Sequence, residues 1–111
     1  MSKEFNSNVA LYVPSKDKDG KELSKDVVLA ARTYVEGTFS TKFGGFTALI
    51  ALGGWKNNTE VIYIVRSWYE SKKYAYIKHW IESLAGKLKK ELNQEAVSYE
   101  YEGSYFIVGG K

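Results

Sequence analysis

The first third of the chain predicts one strand and one helix. Residues 8–13, NVALYV, form an apolar run rich in strand-forming residues, and Pro14 closes it. The polar segment that follows, PSKDKDGKELS, predicts an exposed loop. Ser24 can cap a helix over about residues 25–42, which ends before Gly44-Gly45. The apolar positions of this helix recur at helical spacing: Val28, Ala31, Val35 and Phe39.

The middle of the chain predicts a β-hairpin. The run FTALIALGGW, residues 46–55, is apolar, short and flanked by glycines, which favours a buried strand over a helix. The segment KNNT, residues 56–59, has the composition of a turn, with its tip near Asn57-Asn58. Residues 60–68, EVIYIVRSW, are β-branched and aromatic and predict the second strand of the hairpin.

The last third predicts a second helix and two further strands. From about Ser71, a possible N-cap, to Leu92 the apolar residues recur every three or four positions, and Asn93 is a possible stop. The buried face of this helix is predicted to carry Ile77, Ile81, Leu84, Leu88 and Leu92. Residues 95–102 alternate like a strand, and Gly103 turns the chain into a final strand, SYFIVG.

The order of these elements predicts the fold class. β-α-β-β-α-β with an extra C-terminal strand is the ferredoxin-like α+β arrangement, here as a single domain over residues 1–111. Both helices then cover one face of an antiparallel sheet, and the other face is open. The strand at 60–68 is apolar on both sides, because Val61 and Tyr63 alternate with Ile62 and Ile64. We therefore expect the second face to be covered as well, most simply in a homo-oligomer built through the sheets.

Composition narrows the possible chemistry. The formal charge is +3, an excess too small to indicate nucleic-acid binding by itself. The chain has no Cys and a single His, His79, which excludes thiol nucleophiles and multi-His zinc sites. We expect no metal and no cofactor. Neither a signal-peptide core nor an apolar run long enough for a membrane span is present, so we expect a soluble, cytoplasmic protein without membrane partners.

Glu60 is the most informative candidate residue in the hairpin. It follows the predicted turn, and Trp55 precedes that turn, in a stretch rich in glycine and aromatic residues. One interpretation is a solvated turn carboxylate. The other is a site for a cationic ligand, because a carboxylate supplies charge and an indole face supplies cation–π attraction.

The segment NQEAV, residues 93–97, allows the same two interpretations. It can be a helix end followed by an exposed strand start. It can also direct Gln94 and Glu95 into a cleft, where the amide of Gln94 offers both donors and an acceptor to a ligand. The earlier stretch FGGFTA is not a P-loop, since it lacks the GK[ST] sequence and precedes a strand, so a helix end is favoured there.

The ordered set of these short pieces resembles a known family. The set extends over about residues 43–101. In chain order it consists of a helix, GG-x-T, a strand that ends in Gly54-Trp55, a turn, Thr59-Glu60, the strand VIYIV, a second helix and NQEAVSYEY. The set is similar to the small phage-encoded S-adenosylmethionine (SAM) lyases, long described as SAM hydrolases. The resemblance implies a ferredoxin-like subunit that forms a homotrimer, in the host cytoplasm, with SAM held between subunits.

The resemblance also implies roles for particular residues. Glu60 matches the position of the catalytic carboxylate of the family, and Gln94 and Glu95 match a Gln-acid pair at the substrate pocket. Trp55 stands where those enzymes carry a Tyr, so it keeps an aromatic face without the phenol. Phe46, within the GG-x-T match, is assigned to substrate binding with them.

The implied reaction needs little beyond positioning. The carboxylate of SAM attacks its own γ-carbon and expels methylthioadenosine, which leaves homoserine lactone, and no thiol, metal or His is required. Two other classes stay open. A non-catalytic binder of a nucleoside or nucleotide, such as a phage counter-defence protein, could use the same pocket. A nucleic-acid module could use the basic second helix, with affinity that falls steeply with salt.

Overall fold

The computed structural model describes residues 1–109, except for the side chain of Trp55. Five strands and two α-helices form one α+β unit, and a short 3₁₀ turn, Ser71–Lys73, precedes the second helix. The elements are, in chain order, β1 (Ser7–Val13), α1 (Lys25–Phe43), β2 (Thr47–Trp55), β3 (Asn58–Tyr69), α2 (Ile77–Glu91), β4 (Ala96–Tyr101) and β5 (Ser104–Gly109).

The strands form one antiparallel sheet in the order β2-β3-β1-β4-β5. The first four strands have the order of a ferredoxin-like sheet, and β5 adds an outer strand beside β4, as the sequence predicts. Both helices pack on the same face. The buried side chains of β1 and β4 that meet them are Val9, Leu11, Val13, Val97 and Tyr99. The opposite side of the sheet is here called the open face.

Helix α1 forms where the sequence places it. The hydroxyl of Ser24 accepts a hydrogen bond from the backbone N–H of Val27, and Gly44 ends the helix with a φ of 89°. The four residues predicted to face inward are all buried: Val28, Ala31, Val35 and Phe39.

Helix α2 begins five residues later than predicted, with its N-cap at Tyr76 and not at Ser71. Ser71 does not cap it: its hydroxyl accepts a hydrogen bond from Asn6 Nδ2 at 3.3 Å, and its backbone N–H donates to Asn6 Oδ1. The Tyr74 ring, between the 3₁₀ turn and α2, packs against Phe43 and Tyr69, with centroid distances of 5.1 and 5.4 Å. The helix starts only after Tyr76, whose φ is 60°. The predicted inward side chains are nevertheless all buried: Ile77, Ile81, Leu84, Leu88 and Leu92.

The β2–β3 hairpin has a tighter turn than predicted. Trp55 pairs with Asn58, so the turn consists of Lys56 and Asn57, one residue earlier than the predicted tip. Both turn residues have positive φ, 48° and 65°, which matches the twist of two antiparallel strands joined by two residues.

Apolar side chains remain at the surface around the sheet. Leu49 and Tyr105 lie on the open face and are 46% and 56% exposed, while Ile50 and Leu52 of β2 are 72% and 74% exposed. Strand β2 is an edge strand that neither helix covers. Neither α1 nor α2, the two helices of residues 1–109, is long and apolar enough to cross a membrane.

Candidate functional site

A cavity of about 780 Å³ lies on the open face and reaches the loop that follows β1. This volume is within the usual range for small-molecule sites. Its wall comes from distant parts of the chain: the loop after β1, the β2–β3 hairpin, the start of β4, and β5.

Glu60 is half-buried at the loop end of this cavity. Its Oε2 accepts hydrogen bonds from the backbone N–H groups of Ser15 and Lys16, each at 3.0 Å. Charge-assisted bonds of this kind hold a carboxylate in one orientation. Glu60 therefore holds the loop after β1 in place while it lines the cavity.

Gln94 holds the same loop from the other side. Its Nε2 donates to the backbone carbonyls of Lys16, at 2.7 Å, and Leu92, at 2.9 Å. The loop is thus held at Lys16 by two residues that are separate in sequence, Glu60 and Gln94. Lys16 Nζ in turn donates to the carbonyl of Thr59 at 2.8 Å.

The other predicted site residues divide into three cases. Glu95 is exposed and lines the cavity together with Glu60 and Gln94. Trp55 ends β2 in the same hairpin, but its side chain lies outside the described part of the chain. Phe46 precedes β2, far along the strand from Gly53 and Gly54, and it does not line the cavity. The predicted role of Phe46 in substrate binding stays a prediction without a position at this cavity.

The glycine pair in the hairpin leaves one wall of the cavity without side chains. Gly53 pairs directly with Glu60 across the two strands. A Cβ atom on Gly53 would meet only the Ile62 side chain, at 3.4 Å, so the backbone does not require glycine there for space. The absence of a side chain opposite Glu60 keeps the carboxylate accessible from the open face.

Charges of both signs line the loop end. Glu60 and Glu95 are acidic, while Lys16 and Lys18 are basic. This mixture suits a ligand that carries both an ammonium and a carboxylate group. Within residues 1–109 no group of three His, Cys, Asp or Glu side chains could hold a metal ion.

Sequence reasoning missed a polar network at the other end of the cavity. The Tyr12 hydroxyl donates to Glu100 Oε2 at 2.5 Å, and Arg66 Nη2 donates to Glu100 Oε1 at 3.1 Å. The Tyr105 hydroxyl donates to Ser98 Oγ at 2.5 Å. Burial, with the bond to Glu100, raises the pKa of Tyr12 to about 12. Alternation within each strand puts these residues on one face, but only the pairing of strands distant in sequence brings them together.

Comparison with known proteins identifies a structural neighbour. No protein-family model and no curated protein matches the sequence. A solved structure of a phage SAM lyase in its apo state aligns with all of this chain and 96% of its own length, with a TM-score of 0.53 and 15% sequence identity. At this identity the similarity shows a shared fold.

Proposed function

We propose that the protein degrades SAM by an intramolecular lyase reaction that yields methylthioadenosine and homoserine lactone. The observation that carries the proposal is the accessible Glu60 carboxylate in a cavity lined by charges of both signs. The phage SAM lyase neighbour supports it at the level of the fold. The order of motifs along the chain supports it independently.

The bond changes balance within one substrate molecule. A carboxylate oxygen of SAM forms a bond to its γ-carbon, and the bond from that carbon to sulfur breaks. The electron pair of the broken bond stays on sulfur, so the sulfonium becomes the neutral thioether of methylthioadenosine. The ammonium group keeps its charge and leaves on homoserine lactone. No proton moves, so the protein has to fold the substrate and exclude water.

The change of charge during the reaction indicates which group of the substrate Glu60 binds. The positive charge on sulfur disappears during the reaction, so a carboxylate that attracted only the sulfonium would stabilise the ground state more than the transition state. The ammonium stays charged throughout. We therefore assign Glu60 to the ammonium group, which it orients so that the substrate carboxylate faces the γ-carbon, with Gln94 and Glu95 beside it. As the resemblance implies, further contacts come from a neighbouring subunit of a homotrimer.

The test is incubation of the purified protein with SAM, with products followed by chromatography and mass detection. We expect methylthioadenosine together with homoserine lactone. Homoserine as the first product, without prior lactone, would indicate a hydrolase. Replacement of Glu60 by Gln is expected to lower kcat/KM by about 100-fold, the scale for loss of one preorganised electrostatic group. The control is Glu4→Gln, which changes an exposed carboxylate ahead of β1.

Because Glu60 also holds the loop, the thermal unfolding midpoint of Glu60→Gln has to be measured beside its activity. Full turnover by this variant would contradict the role of Glu60. SAM that stays intact through a long incubation with the wild-type protein would remove the enzyme proposal.

A non-catalytic binder is the second candidate. Trp55 in place of the Tyr of the resembling enzymes favours it, since any role of the phenol hydroxyl is lost. The same cavity would then take up SAM or a nucleoside stoichiometrically. Calorimetry would give saturable binding, and the ligand would be recovered unchanged.

A further inference from the structure

The end of the cavity away from the loop carries a pair of aromatic rings. Among the described lining residues, Tyr12 and Tyr105 are the ones with aromatic side chains. Their ring centroids lie 5.6 Å apart at an interplanar angle of 64°, an edge-to-face arrangement. We propose that this pair, called here the tyrosine platform, binds the nucleobase of the ligand; the inference rests on the proposed function for the identity of that ligand.

Both rings are held in position before any ligand arrives. The Tyr12 hydroxyl is bound to Glu100, which Arg66 holds from its other oxygen. The Tyr105 hydroxyl is bound to Ser98. With each hydroxyl engaged, the rings are fixed, and a planar ligand loses less affinity to the ordering of the side chains that receive it.

Apolar side chains line the cavity beside the tyrosine platform. Ile62, Ile64 and Ile107 line the same cavity, and Tyr12 pairs with Ile64 across β1 and β3. Tyr105 and Ile107 are 56% and 51% exposed, so the surface is open to a ligand. A flat, uncharged ring system that buries its faces fits this surface better than a charged group does.

The distance between the tyrosine platform and Glu60 matches a ligand that is charged at one end and aromatic at the other. Ile64 lies four residues beyond Glu60 on the same strand and face, which corresponds to about 13 Å along an antiparallel strand. In SAM the charged amino-acid portion and the adenine lie at opposite ends of the molecule. One cavity thus offers charges at one end and aromatic surface at the other.

The test uses adenosine, which has the nucleobase and lacks the amino-acid portion and the sulfonium. Calorimetry of adenosine binding to the wild-type protein gives the reference Kd. Tyr105→Ala is expected to weaken adenosine binding about tenfold or more, as loss of a stacking surface does for single bases. Tyr12→Phe keeps the ring and is expected to stay within about threefold of the wild type on the same scale. Tyr34→Ala, on α1, is the matched control because it removes a similarly exposed tyrosine outside the cavity.

Two variants separate this inference from the proposed function. Glu60→Gln is expected to keep adenosine affinity, since adenosine has no ammonium group for the carboxylate. Tyr105→Ala is expected to raise the KM for SAM more than it lowers kcat. If wild-type protein leaves SAM intact but binds adenosine in a Tyr105-dependent way, the tyrosine platform stands and the lyase function fails. Absence of adenosine binding, or equal Kd values for wild type and Tyr105→Ala, overturns the inference.

Discussion

At the residue scale, glutamates that accept hydrogen bonds from tyrosine hydroxyls recur through the molecule. Tyr69 and Tyr99 donate to Glu102 and Glu82, at 2.8 and 2.6 Å, in the manner of Tyr12. Burial raises the pKa of each phenol, and the neighbouring carboxylate raises it further. The neutral phenol is therefore the form that the folded protein favours.

These pKa shifts predict loss of stability at alkaline pH. A phenol whose pKa is higher in the folded state contributes stability that is complete below the unfolded value of about 10. For Tyr12 this contribution disappears as pH rises through about 12, its folded value. Phenolate absorbance during a pH titration should show late-titrating tyrosines, and the free energy of unfolding should fall between these pH values. Tyr12→Phe should remove one late group, and an unchanged titration curve in that variant would contradict the assignment.

The sequence could predict the candidate site residues only in part. Glu60, Gln94 and Glu95 line one cavity, although their roles stay predictions. The bonds from Glu60 and Gln94 to the loop after β1 could not be predicted, because they join segments about 45 and 78 positions apart without any repeating pattern. A charged residue next to a turn has the same sequence appearance whether it faces water or closes a loop.

At the element scale, local signals predicted α1 and missed the start of α2. The Ser24 cap and the Gly44 end both act within one turn of the helix, so sequence alone reveals them. The segment ahead of α2 instead contacts Asn6, which is 65 positions from Ser71, and packs the Tyr74 ring against Phe43. Such contacts form only after the sheet brings the segments together.

Replacement by Ala is expected to have opposite effects on stability at two glycines associated with α1. Gly37 is exposed within the helix, and an added Cβ meets no atom within 4 Å, so Gly37→Ala should raise the free energy of unfolding by about 1 kcal/mol. Gly44 has a φ of 89°, so Gly44→Ala should lower it by about 1 kcal/mol or more. Urea unfolding of the two variants beside the wild type measures both changes. Shifts of the same sign would contradict this account of the helix end.

At the scale of the whole molecule, the fold class followed from the order of elements. Short connections and the pairing of neighbouring strands leave few arrangements for β-α-β-β-α-β, and the sheet order is the one expected. The position of β5 also followed, because the two-residue turn at Glu102-Gly103 returns the chain beside β4. The apolar character of both faces of β3 was visible in the sequence as well.

The exposed apolar side chains of β2 predict self-association, in a homotrimer as the family resemblance implies. Monomers rarely leave contiguous apolar surface of this kind in water, and β2 is also an unpaired sheet edge. Light scattering on a sizing column should give the mass of three chains for the wild type. Joint replacement of Ile50 and Leu52 by Lys should shift it towards 12.6 kDa. Leu29→Lys, on exposed α1 surface, is the control, and a wild-type mass of one chain would contradict the prediction.

The direction of the outermost strand affects how the protein can be handled. Strand β5 runs along the cavity towards its loop end, and its last residue, Gly109, lies in the cavity wall, whereas β1 starts at the opposite end of the sheet, where Ser7 pairs with Tyr69. An affinity tag or fluorescent protein fused behind β5 would therefore follow closely on a residue of the cavity wall. A fusion placed ahead of β1 lies at the other end of the sheet, so it is the better choice for immobilisation and for binding assays.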